Sequence, residues 1–235
     1  MGTEPNPAMD LRSAIRGTGS VRQFTDEPVD DETLYALLDD ARFAPSGGNR
    51  QGWRVVVVQD IATREAIGGL MRGVWDDYIA IASTGNTPFT SIEPAQYELT
   101  TVTPGKTPND LIDRIADVPV VLIIAADLSL ISMMDKDLDR KPITGGGSIY
   151  PFCWNLLLAA RSRGLGGVLT TFLARAEPEA AALLRLPPGY AIAGTIFIGH
   201  PVHQPTRLKR RPVEAFTVID RFDGEAFGIT HSDAE

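Results

Sequence analysis

The segment Ala44-Pro45-Ser46-Gly47-Gly48-Asn49-Arg50-Gln51-Gly52-Trp53 stands between an amphipathic stretch and an unbroken apolar run. Pro45 presets its own φ, and Gly47 and Gly48 admit conformations closed to other residues, so the chain can turn sharply here and pass close to another molecule. Ser46, Asn49 and Gln51 put donors and acceptors side by side, the mixed chemistry that the edge of a flat polar ring such as a flavin requires. By itself the segment is read equally well as a plain turn between two elements.

Working outward, Asp30 and Asp31 can cap a helix over residues 31 to 43, in which Leu34, Leu37, Leu38 and Ala41 recur at helical spacing. Arg54-Val55-Val56-Val57-Val58 is apolar and β-branched on both faces and predicts a strand covered on both sides. A second helix is predicted at about 62 to 82, with Ile67, Leu70, Met71, Val74 and Tyr78 on one side. Residues 84 to 109 lose all periodicity and read as a lid loop. Thr107 and Pro108 then suggest a cap and first turn of a short helix reaching Ala116. Buried strands are expected at Val120 to Ala125 and Ala191 to Ile198, and a short one is allowed at Phe216 to Ile219. Ser148 to Arg163, stopped by Gly164, reads as a long apolar helix at the centre of the fold, and a further helix spans about 177 to 185.

The chain has 235 residues, 43% of them hydrophobic, enough to bury the core of one domain over 1 to 235. Residues 1 to 9 read as a mobile polar arm with neither a secretory nor a myristoylation signal, and 200 to 235 as an irregular C-terminal extension. A net charge of −8 argues against nucleic-acid or anionic-membrane partners, and no apolar run reaches the length of a membrane span. The single cysteine, Cys153, lies in an apolar run and reads as an inert core thiol, which fits a reducing, cytoplasmic setting.

About twenty residues before the opening segment comes Gly19-Ser20-Val21-Arg22-Gln23-Phe24. A Ser-x-Arg near the start followed by Pro-Ser-x-x-Asn-x-Gln before the first long strand resembles the FMN-dependent nitroreductase family. The likeness continues through Gly164-Leu165-Gly166-Gly167-Val168-Leu169-Thr170-Thr171 and Gly199-His200-Pro201 to Lys209-Arg210-Arg211-Pro212. The resemblance implies an α+β fold with a central mixed sheet wrapped by helices, and a C-terminal arm exchanged in a homodimer. It implies FMN as cofactor, NADPH or NADH as hydride donor, and small nitroaromatic or quinone substrates.

Carried over residue by residue, the resemblance assigns cofactor contacts to Ser20, Arg22, Pro45, Ser46, Asn49, Gln51, Gly167, Leu169, Thr170, Thr171, Arg210 and Arg211. Ser20, Arg22 and the tail cations would hold a phosphate, and the backbone of 168 to 171 would approach the ring near N5. Many members carry an arginine where this chain has Thr18, so Arg22 and the tail must supply more of the charge, or Arg16 or Arg50 substitutes. Taken alone, the tail cluster reads as solvated surface charge.

Gly164-Leu165-Gly166-Gly167 follows a helix and lacks dinucleotide-binding glycine spacing, so no Rossmann site is expected. His200 and His203 have no diagnostic partner spacing, and no metal is expected. Flavin chemistry needs no side-chain acid or base, since the ring carries the hydride. Phe89, Tyr97 and Phe172 are the candidates for the substrate wall. Tyr150, Trp75, Tyr78 and Phe152 are further aromatic candidates for the wall, although Trp75, Tyr78 and Phe152 fall on helices and read more readily as core. The rival readings are a reductive dehalogenase, a flavin-fragmenting oxygenase, and a flavin-binding protein without turnover.

Overall fold

The computed structural model describes residues 9–90 and 107–229. Its frame is a four-stranded sheet of β1 (Trp53–Val57), β2 (Val120–Asp127), β3 (Gly166–Thr170) and β4 (Tyr190–Gly199), in the order β1-β2-β4-β3. All three ladders are antiparallel. The expected mixed sheet therefore acquires its parallel component, among the described residues, only from the bridge between Ser20 and Gly167. β1 is an edge, and Val57 is 39% exposed, so this strand is half-covered where a doubly covered one was predicted.

The two faces of β2 sort its apolar residues by the two-residue period of a strand. Leu122 and Ile124 join a cluster with α2 (Asp31–Ala41) and α5 (Tyr150–Ser162), through Leu37, Phe152 and Leu156. Val121 and Ile123 face the other cluster, with Ile67 and Met71 of α3 (Ile61–Ser83) and Phe197 of β4. Each fully buried Leu, Ile or Phe stabilises the fold by about 1.5–3 kcal/mol, so the central strands and these three helices fix the architecture.

Asp60 starts α3 by accepting from the Thr63 amide at 2.8 Å, and Asp30 caps α2 through the Thr33 amide at 2.7 Å. A helix that was not anticipated, α1 (Leu11–Gly17), is capped in the same way by Asp10 on the Ser13 amide. The short helix α4 (Asp110–Asp113) is capped by Asn109, so Thr107 and Pro108 precede the cap instead of forming it, and a 3-10 turn over Ile115–Asp117 follows. The central helix starts at Tyr150, after a 3-10 turn over Thr144–Ser148, and Gly164 at φ +78° ends it as expected. Two short helices, α6 (Phe172–Arg175) and α7 (Glu177–Leu184), link β3 to β4. In the tail, the allowed strand at 216–219 is replaced by a 3-10 turn over Val213–Ala215 and one bridge from Val218 to Ala226. Among the described residues no helix is long and apolar enough to cross a membrane.

Candidate active site

The site is built on the glycine pair at the start of β3. A Cβ on Gly167 would stand 2.7 Å from the Phe197 carbonyl and 2.8 Å from Leu157 Cδ2, and one on Gly166 would meet Val21 Cγ2 at 2.6 Å. Only glycine permits this approach, and it lets residues 20 to 22 dock beside β3, with the Val21 amide donating to the Gly167 carbonyl at 3.0 Å. The glycines seat the Ser-x-Arg segment.

Ser20 and Arg22 thereby face a cleft of about 800 Å³ whose floor is Leu169, Thr170 and Thr171 at the end of β3. That volume lies in the range of cofactor sites. Arg22 makes no ion pair among the described residues, leaving its guanidinium available to an anion. Thr170 Oγ1 is buried with no hydrogen-bond partner.

One wall is aromatic. Trp75 and Tyr78 of α3 stack at 5.7 Å, and Phe172 of α6 meets them edge-on at 5.8 and 5.9 Å. Trp75 and Tyr78, expected in the core, are thus only partly buried and line the cleft. Trp75 is held by its indole N–H, which donates to the Thr107 carbonyl at 3.1 Å. Phe89 does not line the cleft; it packs behind the wall, 6.3 Å from Tyr78 and beneath the Arg175 guanidinium at 4.7 Å. Phe172 lines the cleft; Tyr97 lies outside the described residues. Phe152 is core, stacked on Trp53 at 4.9 Å, and Tyr150 lies in a smaller apolar pocket with Ile143 and Ile149.

Sequence reasoning missed Asp110, His203 and Pro205, which also line the cleft. Asp110 accepts from Gln23 Nε2 at 2.9 Å. These residues carry no motif; they arrive because α4 and the tail fold over the β3 edge, with Gly19 in contact with Pro205 and Leu208.

The second motif lies elsewhere. Ser46 Oγ accepts from the Gln51 amide at 2.9 Å, Asn49 Oδ1 from Gln51 Nε2 at 3.2 Å, and Ser148 Oγ from the Gly47 amide at 3.0 Å. Asn49 and Gln51 both hold positive φ, 53° and 51°, a strained conformation retained by this network and frequent at ligand clamps. The loop enters β1, one edge of the sheet, whereas Ser20 docks on β3, the other edge, about 14 Å away by strand spacing. Trp53 pairs with Ala126 at one end of the ladder, while Gly167 pairs with Ile198 at the opposite end. Pro45, Ser46, Asn49 and Gln51 are therefore not brought to the cleft that holds Ser20 and Arg22.

Arg210 and Arg211 are exposed and do not line the cleft; Arg210 donates only to the neighbouring Lys209 carbonyl among the described residues. Thr18, in the place of the family arginine, is buried and donates its hydroxyl to the Ala14 carbonyl at 2.7 Å. Arg50 is bonded to Ser132 Oγ, and Arg16 faces a separate cavity. Cys153 is buried, and burial pushes its thiol up to about 12, so it is inert.

The chain belongs to the nitroreductase family, whose model matches residues 15–200. It is similar to the 5,6-dimethylbenzimidazole synthase of Rhodospirillum rubrum, 31% identical over 89% of this chain and 94% of that protein. It also resembles an NADH dehydrogenase of Thermus thermophilus, 26% identical over 88% of this chain and 95% of its relative. The solved structure of nitroreductase A from Vibrio parahaemolyticus shares the fold, with TM-score 0.63 at 23% identity over 94% of this chain and 79% of that one.

Proposed function

We propose that the protein is an FMN-dependent NAD(P)H oxidoreductase that reduces small nitroaromatic or quinone acceptors, with two copies of the chain completing each site. The observation that carries this reading is the cleft, which has a serine and an arginine with no ion pair among the described residues at one end, the β3 terminus as its floor and an aromatic wall. FMN, when bound, supplies two-electron hydride exchange between the nicotinamide and the acceptor. Ser20 and Arg22 would hold its phosphate by charge-assisted hydrogen bonds, and the 169–171 backbone would present donors to the ring. Trp75, Tyr78 and Phe172 offer a flat apolar surface to an aromatic acceptor and keep water from it. Pro45 to Gln51, held rigid on the far sheet edge, would serve the flavin of the other subunit.

Anaerobic mixing tests the reading: NADPH or NADH should bleach the bound flavin, and a nitroaromatic or quinone should restore its colour. A flavin that stays oxidised with both nucleotides would refute it. The likeness to the Rhodospirillum rubrum protein favours one second reading, synthesis of 5,6-dimethylbenzimidazole at the expense of the flavin. Appearance of that product from reduced FMN in air would establish it.

A further inference from the structure

Beside the cleft, α1, the last turn of α5 and the tail line a separate, open surface cavity of about 340 Å³, with Arg12, Ser13, Arg16, Gly17, Arg161 and Thr206 among its lining. Arg12 and Arg16 sit four residues apart, on one face of α1, where like charges oppose helix formation. Arg161 reaches over Gly17, its Nη2 only 3.9 Å from where a Cβ would be, and its Nε is buried with no acceptor among the described residues. Five other arginines, Arg42, Arg72, Arg114, Arg140 and Arg163, have an aspartate partner. These three have none among the described residues, although the chain carries a net charge of −8. The acidic residue nearest in sequence, the N-cap Asp10, spends its carboxylate on the amide and hydroxyl of Ser13.

An arrangement that gathers three guanidiniums and leaves a buried N–H unsatisfied costs stability unless an anion completes it. We propose that this cavity binds a phosphate monoester, with Arg12, Arg16 and Arg161 neutralising it and Thr206 beside them. Planar guanidiniums match phosphate oxygens in pairs, which favours this anion over chloride or a single carboxylate. The site is distinct from Ser20 and Arg22, so it stands or falls independently of the flavin reading. Pro205 lines the cleft and Thr206 the cavity, so consecutive residues, about 3.8 Å apart, separate the two. The ester is accordingly either the 2′-phosphate of a nicotinamide dinucleotide extending from the cleft or a free phosphate ester.

Calorimetric titration of the full-length protein at constant ionic strength decides the matter, with inorganic phosphate and 2′,5′-ADP as probes. Wild type should bind phosphate, and Arg12→Gln, Arg16→Gln and Arg161→Met should each weaken it about tenfold, the loss expected for one charge-assisted contact. Arg12 and Arg16 are exposed, so their variants should keep the wild-type Tm without phosphate. Tighter binding of 2′,5′-ADP than of phosphate, with the excess lost in Arg16→Gln, assigns the dinucleotide source, and equal binding assigns the free ester. Phosphate affinity that is absent, or unchanged in all three variants, overturns the site. Loss of bound flavin from Arg16→Gln overturns its separateness.

Discussion

Arg22 is the residue on which flavin retention should turn, because it is the arginine lining the cleft and Thr18 contributes only a helix-end hydrogen bond. Arg22→Ala should weaken FMN binding by about 1.5–3 kcal/mol, roughly ten- to a hundredfold, measured by fluorescence as flavin is released. Thr18→Ala should leave FMN affinity near wild type; a comparable loss in both variants would contradict the assignment. At the aromatic wall, Phe89→Ala and Phe172→Ala remove contacts to Tyr78 without touching Ser20 or Arg22. Their kcat/KM for nitroaromatics should fall by about 1 kcal/mol or more while flavin affinity holds. Unchanged kinetics in both would assign this wall to structure alone. Gly167→Ala tests the docking of the Ser20 segment. The added methyl group meets a backbone carbonyl, so it should cost about 1–3 kcal/mol and lower Tm by several degrees, with loss of flavin as β3 and residues 20 to 22 separate.

Among the elements, the connection from β2 to α5 hangs on Asp135. This buried carboxylate accepts from the Thr144 hydroxyl, from the amides of Ile143 and Thr144 and from Arg140, which holds it well below the usual carboxylate range. A depressed folded-state pKa contributes stability that is complete above the ordinary carboxylate pKa and disappears as the pH falls through the folded value. Asp135→Asn should therefore lower Tm at neutral pH, and its difference from wild type should shrink under strong acid. A difference that persists undiminished at low pH would show that packing, not charge, holds the loop.

The same elements show what the sequence could and could not disclose. Helices α2, α3 and α5 and strands β2 and β4 were legible because long apolar periodicity and aspartate caps dictate them locally. The half-exposure of β1 was not legible, since a Val-rich strand reads alike at the centre and at the edge of a sheet. Trp75 and Tyr78 show the same limit: helical spacing places them on a flank but does not reveal that, among the described residues, it lines a cleft. Ser20, Arg22 and the 169–171 segment were legible as a motif and do converge. Asp110 and His203 were invisible because only tertiary folding brings them in.

At the scale of the molecule, the two motif-bearing segments occupy opposite edges and opposite ends of one sheet. If both serve one flavin, a second copy must supply the Pro45 loop, and Leu11, Phe43 and Trp154, exposed on α1, beside α2 and on α5, offer apolar surface for the contact. Sedimentation should show a dimer, and dilution that dissociates it should release flavin, whereas an active flavin-loaded monomer would contradict this arrangement. The central claim, that the Ser20–Arg22 cleft is a flavin site, is tested most directly by the flavin content of the purified protein. The account predicts a yellow protein that holds one FMN per subunit, or takes it up when FMN is supplied. A colourless protein that binds no added FMN would contradict it.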